Sequence, residues 1–214
     1  MYLEILNILS KGESMSIVIA ACTKNYGLIM ADTRAISKSN MTQKSVVVSE
    51  NSLKLYPLSG CVCLGICGDR DISAPIAHSF PKSEDYDLED CAKILSSKIK
   101  NVVLGEYPVH FFLLGKWKSA GSELRIISFS SIDGFTPYMT HPTELKPAYA
   151  MAIPTINKTE RKHHEQKIKS IICSHKDVDE LKTSLMAYVK EMAITETAIN
   201  GDIIAVKIDE RGIR

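Results

Sequence analysis

Met15-Ser16-Ile17-Val18-Ile19-Ala20-Ala21-Cys22, followed across a turn by Tyr26-Gly27-Leu28-Ile29-Met30-Ala31-Asp32-Thr33-Arg34-Ala35, is the stretch whose reading decides the fold. Both runs are branched or aliphatic, and polar turn residues separate them, so together they predict a β-hairpin. A hydroxyl, Ser16, stands at the head of the first strand. A carboxylate, Asp32, follows 16 residues later near the end of the second.

Working outward, the sequence predicts strands over 17–22, 27–36, 45–58 and 61–67. Leu88, Cys91, Ala92, Leu95 and Ile99 then recur at helical spacing behind the acidic start Ser83-Glu84-Asp85, which predicts a helix with one buried stripe. Strands resume over 109–115, 123–129, 134–140 and 148–153, with Ile132-Asp133-Gly134 as a turn signal between two of them. Two helices follow, about 160–173 and 177–194. The second starts on Asp177-Val178-Asp179-Glu180 and carries Val178, Leu181, Leu185, Val189 and Met192 on one face. Residues 201–209 read as a closing strand. This order predicts an α+β protein in which two antiparallel sheets pack together with helices outside.

Composition sets the bounds. The chain has 214 residues, 45% hydrophobic and 24% charged, with a formal net charge of +1. That is enough for one domain with a sizeable core, and no repeat or linker divides residues 16–214. The near-neutral charge gives no electrostatic case for nucleic acid or a membrane surface. No apolar run reaches the roughly 20 residues needed to span a bilayer, and Met1-Tyr2-Leu3-Glu4-Ile5-Leu6 has an acid where a secretory signal carries cations. A cytoplasmic location is the expectation.

Cys61, Cys63 and Cys67 sit at even intervals in an apolar run, so a strand would place all three on one face. No fourth ligand lies at a zinc-like spacing, and buried reduced thiols are the reading. His163 and His164 fall in the charge-dense Lys158-Thr159-Glu160-Arg161-Lys162-His163-His164-Glu165-Gln166-Lys167, which reads as a solvated helix face. No metal or organic cofactor is implied.

The opening hairpin, with its Gly27-Leu28-Ile29-Met30-Ala31-Asp32-Thr33-Arg34-Ala35 strand, resembles that of the proteasome β-type subunits, members of the N-terminal nucleophile hydrolases. A second close match is Leu53-Lys54-Leu55-Tyr56-Pro57-Leu58 followed by Leu64-Gly65-Ile66-Cys67-Gly68-Asp69. It is similar to that family's Lys-Ile-x-Pro strand and Gly-x-x-Gly-Asp turn, with Lys54 and Gly68 at the family's spacing of 14. The resemblance implies a four-layer αββα sandwich and a threonine/serine-type amidohydrolase, an endopeptidase acting on peptide or amide bonds. Ser16 would be the nucleophile and its own α-amine the base. Asp32 and Lys54 would tune it, and the Gly68 N–H would stabilise the oxyanion. Arg34, Thr155, Thr197, Asn200 and Gly201 fall where the family supports the nucleophile, and Ala35, Ile36, Ile66 and Arg70 fall where it lines a specificity pocket. The resemblance also implies a homo-oligomer, such as a ring, and an unfoldase partner. The other reading is a catalytically silent subunit with an assembly or binding role.

The chain departs from the family pattern at four places. Thr197-Ala198-Ile199-Asn200-Gly201 stands where the family has Asp-x-x-Ser-Gly, so the supporting carboxylate is missing unless Glu196 turns inward. Pro154-Thr155 replaces a Gly-Ser-Gly-like segment. The interval from Asp32 to Lys54 is several residues longer than usual. Pro75 falls in the helix after the Gly-Asp turn, and shortening or bending of that helix is expected. The register at the start is open as well: matching Met15 to the nucleophile position would leave a residue that cannot attack. Residues 1–15 read as a propeptide, a permanent extension, or an over-called start. On the last reading, codons for Lys11-Gly12-Glu13 could encode a ribosome-binding sequence, and removal of the Met15 initiator would expose Ser16.

Overall fold

The computed structural model describes residues 16–38, 45–103, 105, 107–153 and 158–214. The described chain is mixed α+β, with four α-helices and three antiparallel sheets.

The first sheet is built on the opening hairpin. Strand β1 (Val18–Cys22) pairs with β2 (Gly27–Asp32), with Val18 opposite Ala31 and Cys22 opposite Gly27. Strand β10 (Ala148–Ala152) flanks β1, and β11 (Ile203–Asp209) flanks β2 with Ile203 opposite Asp32; the short β12 (Gly212–Ile213) closes that edge. A second five-stranded sheet runs β5 (Leu55–Ser59), β6 (Val62–Gly68), β7 (Val109–Trp117), β8 (Glu123–Ser130) and β9 (Tyr138–Thr140). Between β2 and β5 the chain makes a separate two-stranded hairpin, β3 (Ala35–Lys38) with β4 (Ser45–Ser49).

Every residue of β1 and β2 is buried, because each face of the hairpin meets a different core. Ile17, Ile19, Ala21, Leu28 and Met30 pack with α3 (Lys158–Ser174) and α4 (Val178–Thr195) through Ile168, Ile172, Leu181, Leu185 and Met192. Val18, Ala20, Cys22, Ile29 and Ala31 pack instead with Cys63, Cys67, Phe112, Leu114 and Ile126 of the second sheet. That sheet's opposite face, with Val62, Leu64, Phe111 and Leu113, packs on α1 (Arg70–His78) and α2 (Leu88–Ile99). The period-2 alternation thus sorts one strand into two cores. A Cβ on Gly65 would meet Ile29 Cδ1 at 2.9 Å and Val18 Cγ1 at 3.0 Å, so the missing side chain lets the two sheets close.

Several elements differ from the sequence reading. The strand expected over 27–36 breaks at Thr33–Arg34, because both Asp32 carboxylate oxygens bond backbone N–H groups and pull the chain out of the ladder. The strand expected over 45–58 is likewise two, since the Ser52 N–H bonds the Thr33 carbonyl at 2.6 Å rather than a strand neighbour. The strand expected from 134 starts at Tyr138, after a 3-10 turn at Ser131–Asp133 that ends on Gly134 with φ 69°. Helix α2 is capped by Asp87 and Asp90 rather than by the acids at 84–85. Pro75 lies inside α1, which continues to His78, nine residues in all. Asp177 caps α4 as read, accepting from the Asp179 and Glu180 N–H groups at 2.8 and 3.1 Å.

Cys63 and Cys67 are buried on one face. Cys61 is half-buried on the other, its Sγ 3.5 Å from the Tyr86 carbonyl, because it stands in the turn before β6. Burial pushes the Cys22 and Cys63 thiols up to about 12, so they stay protonated near neutral pH and are poor nucleophiles. His163 is exposed as read, whereas His164 turns onto α4, its Nδ1 2.8 Å from the Tyr188 hydroxyl. Among the described residues no helix is long and apolar enough to cross a membrane.

His110 on β7 stands directly opposite Cys67 on β6 and is 8% exposed. Burial, and then the nearby Arg161 cation, hold its imidazole at about 4, well below the ordinary 6.5. In the folded protein His110 therefore stays neutral between pH 6.5 and 4, while in the unfolded chain it takes up a proton over the same interval. Stability is lost as pH falls through that window, by roughly 3 kcal/mol from this group. Denaturant titrations at pH 7 and pH 4.5 should show a smaller acid loss for His110→Met than for the unsubstituted protein. Equal losses would contradict the assignment.

Candidate active site

The break after β2 builds the site. Asp32 is completely buried at the strand end, and Lys54, just before β5, is 4% exposed. Lys54 Nζ donates to Asp32 Oδ1 at 2.6 Å and to the Arg34 carbonyl at 2.6 Å. Asp32 Oδ1 also accepts from the Ile17 N–H at 3.0 Å, and Oδ2 accepts from the Arg34 N–H at 3.1 Å. Burial pushes the Asp32 carboxyl up, and the Lys54 ammonium with the two N–H groups pulls it back. Apolar residues in the place of such a dry ion pair often leave a fold equally or more stable, so stability alone does not account for its presence. A buried, charge-coupled pair beside a cavity is the arrangement found at reactive sites.

That cavity, about 320 Å³, is lined by Ser16, Lys54 and Gly68 together. Ser16 is 6% exposed, and its carbonyl accepts from Cys67 Sγ at 3.2 Å, which fixes the start of the first strand against β6. Gly68 ends β6 with φ 99°, a left-handed conformation, and a Cβ there would stand 1.8 Å from the Pro108 carbonyl oxygen. Only glycine fits both constraints. Asp69 follows as the N-cap of α1, accepting from the Asp71 N–H at 3.0 Å.

Ala35, Ile36, Ile66 and Arg70 line the same cavity. Ala35 and Ile66 are buried, whereas Arg70 is exposed. Two apolar residues that the sequence reading did not single out, Val48 and Leu53, also line it and stay 58% and 53% exposed. Their exposure leaves an apolar rim on which a ligand can bury surface.

The residues expected to support the nucleophile divide. Arg34 anchors the break: its backbone holds Asp32 and Lys54, and its NH1 donates to the Thr197 carbonyl at 2.8 Å. Thr197 itself is exposed and contributes that carbonyl. Asn200, 6% exposed, accepts from the Thr33 N–H at 3.2 Å and donates to Glu50 Oε2 at 2.9 Å. Gly201 contacts the stem of Lys190, where an added Cβ would meet Cγ at an ordinary 3.6 Å, so nothing local demands a glycine. Thr155 lies outside the described residues. Glu196 does not turn toward Ser16: its Oε1 is 3.9 Å from His164 Nε2, and burial and then Glu160 push its carboxyl up.

The sequence reading missed Glu50. Its Oε2 accepts from Arg34 Nε at 3.1 Å as well as from Asn200, and those hydrogen bonds, from Arg34 first and then Asn200, hold its carboxyl low. No pattern in the chain marks it, because its partners are brought together by the turn at Thr33–Arg34. Among the described residues no group of three or more His, Cys, Asp or Glu is placed to hold a metal ion.

No protein-family model matches the chain, and no curated protein matches it.

Proposed function

We propose that this chain is an N-terminal nucleophile amidohydrolase of the type that the proteasome β-subunits represent, and that it hydrolyses peptide bonds through an acyl-enzyme. The observation that carries the reading is convergence. Ser16, Lys54 and Gly68, the first and last 52 positions apart in the sequence, line one cavity together with all four residues expected to form a specificity pocket. The three cores, each joining a different pair of layers, support a four-layer αββα arrangement for the whole.

In this mechanism the α-amine of a chain that begins at Ser16 takes the Oγ proton as Oγ attacks the carbonyl carbon. Lys54, held in place by its hydrogen bond to Asp32, presents an ammonium beside the amine and favours the amine's unprotonated form. The Gly68 N–H donates a hydrogen bond to the carbonyl oxygen as negative charge develops on it. The C–N bond then breaks, the α-ammonium gives its proton to the leaving amine, and water attacks the resulting ester with the amine again as base. A free amine at Ser16 is therefore required, whatever process exposes it.

A peptide epoxyketone tests this reading, since its adduct consumes a hydroxyl and an α-amine on one residue. Intact mass should rise by one inhibitor per chain, and the N-terminal peptide beginning at Ser16 should carry it. A folded protein with Ser16 exposed as its N-terminus that gains no mass would refute the proposal. The second reading, a catalytically silent subunit that assembles with copies of itself or with other chains, draws on one observation. Thr197 brings no carboxylate to the place where the resemblance implies one.

A further inference from the structure

The missing carboxylate has a substitute in space. Glu50 lies just after β4, on the return from the β3–β4 hairpin, which stands between Asp32 and Lys54. Its Oε2 accepts from Arg34 Nε at 3.1 Å and from Asn200 Nδ2 at 2.9 Å. Its backbone carbonyl accepts from Thr33 Oγ1 at 2.6 Å and from Asn200 Nδ2 at 3.2 Å. One residue therefore grips the turn at Thr33–Arg34 from both its side chain and its main chain.

We propose that Glu50 is a positioning residue for the Ser16 site, supplying from the hairpin the carboxylate that Thr197 does not.

This inference rests on the reading of Ser16 and Lys54 as the reacting groups, and it explains how the site works without an acid at 197. Glu50 acts through Arg34. The Arg34 carbonyl receives one Lys54 hydrogen bond, and the Arg34 N–H fixes the carboxylate that receives another. Without Glu50 the guanidinium keeps its bond to the Thr197 carbonyl but loses its second anchor, which loosens the turn that carries both acceptors of the Lys54 ammonium. Glu50 also pairs with the Arg34 charge, as Asp32 does with that of Lys54. An exposed ion pair alone would contribute little. This one differs because the same carboxylate oxygen also binds Asn200, a buried amide that in turn holds the Thr33 N–H.

The test uses the full chain with Glu50→Ala, Glu50→Gln, and Glu50→Ala combined with Thr197→Asp. The primary readout is solvent exchange of the Lys54 ammonium protons by nitrogen-15 NMR, with the resonance assigned through Lys54→Arg. The second readout is the rate of epoxyketone labelling as a function of pH. Glu50→Ala should speed Lys54 exchange at least tenfold and slow labelling at least tenfold. Glu50→Gln, which keeps one acceptor, should fall between, and Thr197→Asp should restore most of both quantities. If Glu50→Ala folds poorly, Glu50→Gln with unchanged thermal unfolding decides the matter. Unaltered Lys54 exchange in a folded variant, or no recovery on adding Thr197→Asp, would overturn the inference. Were the unsubstituted protein to take no label, the Ser16 reading would fail, while Lys54 exchange would still decide whether Glu50 holds the turn.

Discussion

Replacing Ser16 with alanine is expected to remove epoxyketone labelling and to lower peptide hydrolysis by at least about a thousandfold, because residues acting as one nucleophilic unit lose nearly all their effect when one is removed. The folded state should be almost unaffected. The Ser16 carbonyl accepts from Cys67, and alanine keeps that carbonyl. Ser16→Thr should retain measurable hydrolysis, since it keeps both hydroxyl and amine, although its extra methyl must fit a position only 6% exposed. Initial rates on a fluorogenic peptide amide, measured beside thermal unfolding, separate a lost nucleophile from a lost fold. Hydrolysis that survives Ser16→Ala would place the chemistry elsewhere.

Lys54→Met is expected to destabilise the protein by about 3–5 kcal/mol, the range seen when one partner of a buried ion pair is removed. The cost arises at Asp32. That carboxylate is wholly inaccessible to solvent, and among the described residues it keeps, without Lys54, the Ile17 and Arg34 N–H groups as partners. Burial already pushes its carboxyl up, so loss of the ammonium should drive it toward the protonated form, and the deficit should grow as pH rises. Asp32→Asn combined with Lys54→Met should cost less than the sum of the single changes, because no buried charge then remains. Denaturant midpoints for the four proteins of this cycle measure the coupling. A single-variant loss below about 1 kcal/mol would mean the pair is not buried as described.

How far the site could be read from sequence follows from where each contact originates. Ser16, Asp32, Lys54 and Gly68 belong to local runs whose composition and spacing are visible in the chain, and three of them line the cavity beside the fourth's ion pair. The unbroken apolar run over 17–22 is equally local, and it is enough to predict a strand. The breaks at Thr33–Arg34 and before Lys54 are another matter. Neither has glycine or proline to announce it: the first forms where the Asp32 carboxylate bonds the Arg34 N–H, and the second where the Ser52 N–H bonds the Thr33 carbonyl. Glu50 was hidden for the same reason, since its place beside Arg34 depends on both breaks. Glu196 came into question as a substitute carboxylate through sequence adjacency alone. The helix end turns that side chain to His164 instead. His110 reaches the vicinity of the site only through the β6–β7 register that sets it opposite Cys67.

The central claim is that the Ser16 amine is the base, and the most direct test varies that group alone. The protein should be released from a cleavable leader in two forms, one beginning at Ser16 and one with a single alanine ahead of it, and their rates of peptide hydrolysis compared. The Ile17 N–H bond to Asp32 and the Lys54 contacts are available to both forms, so the two should fold alike. The account predicts hydrolysis by the Ser16 form and a loss of about 10²–10⁴-fold in the extended one, the usual contribution of a positioned general base. Equal rates in two equally folded forms would contradict it.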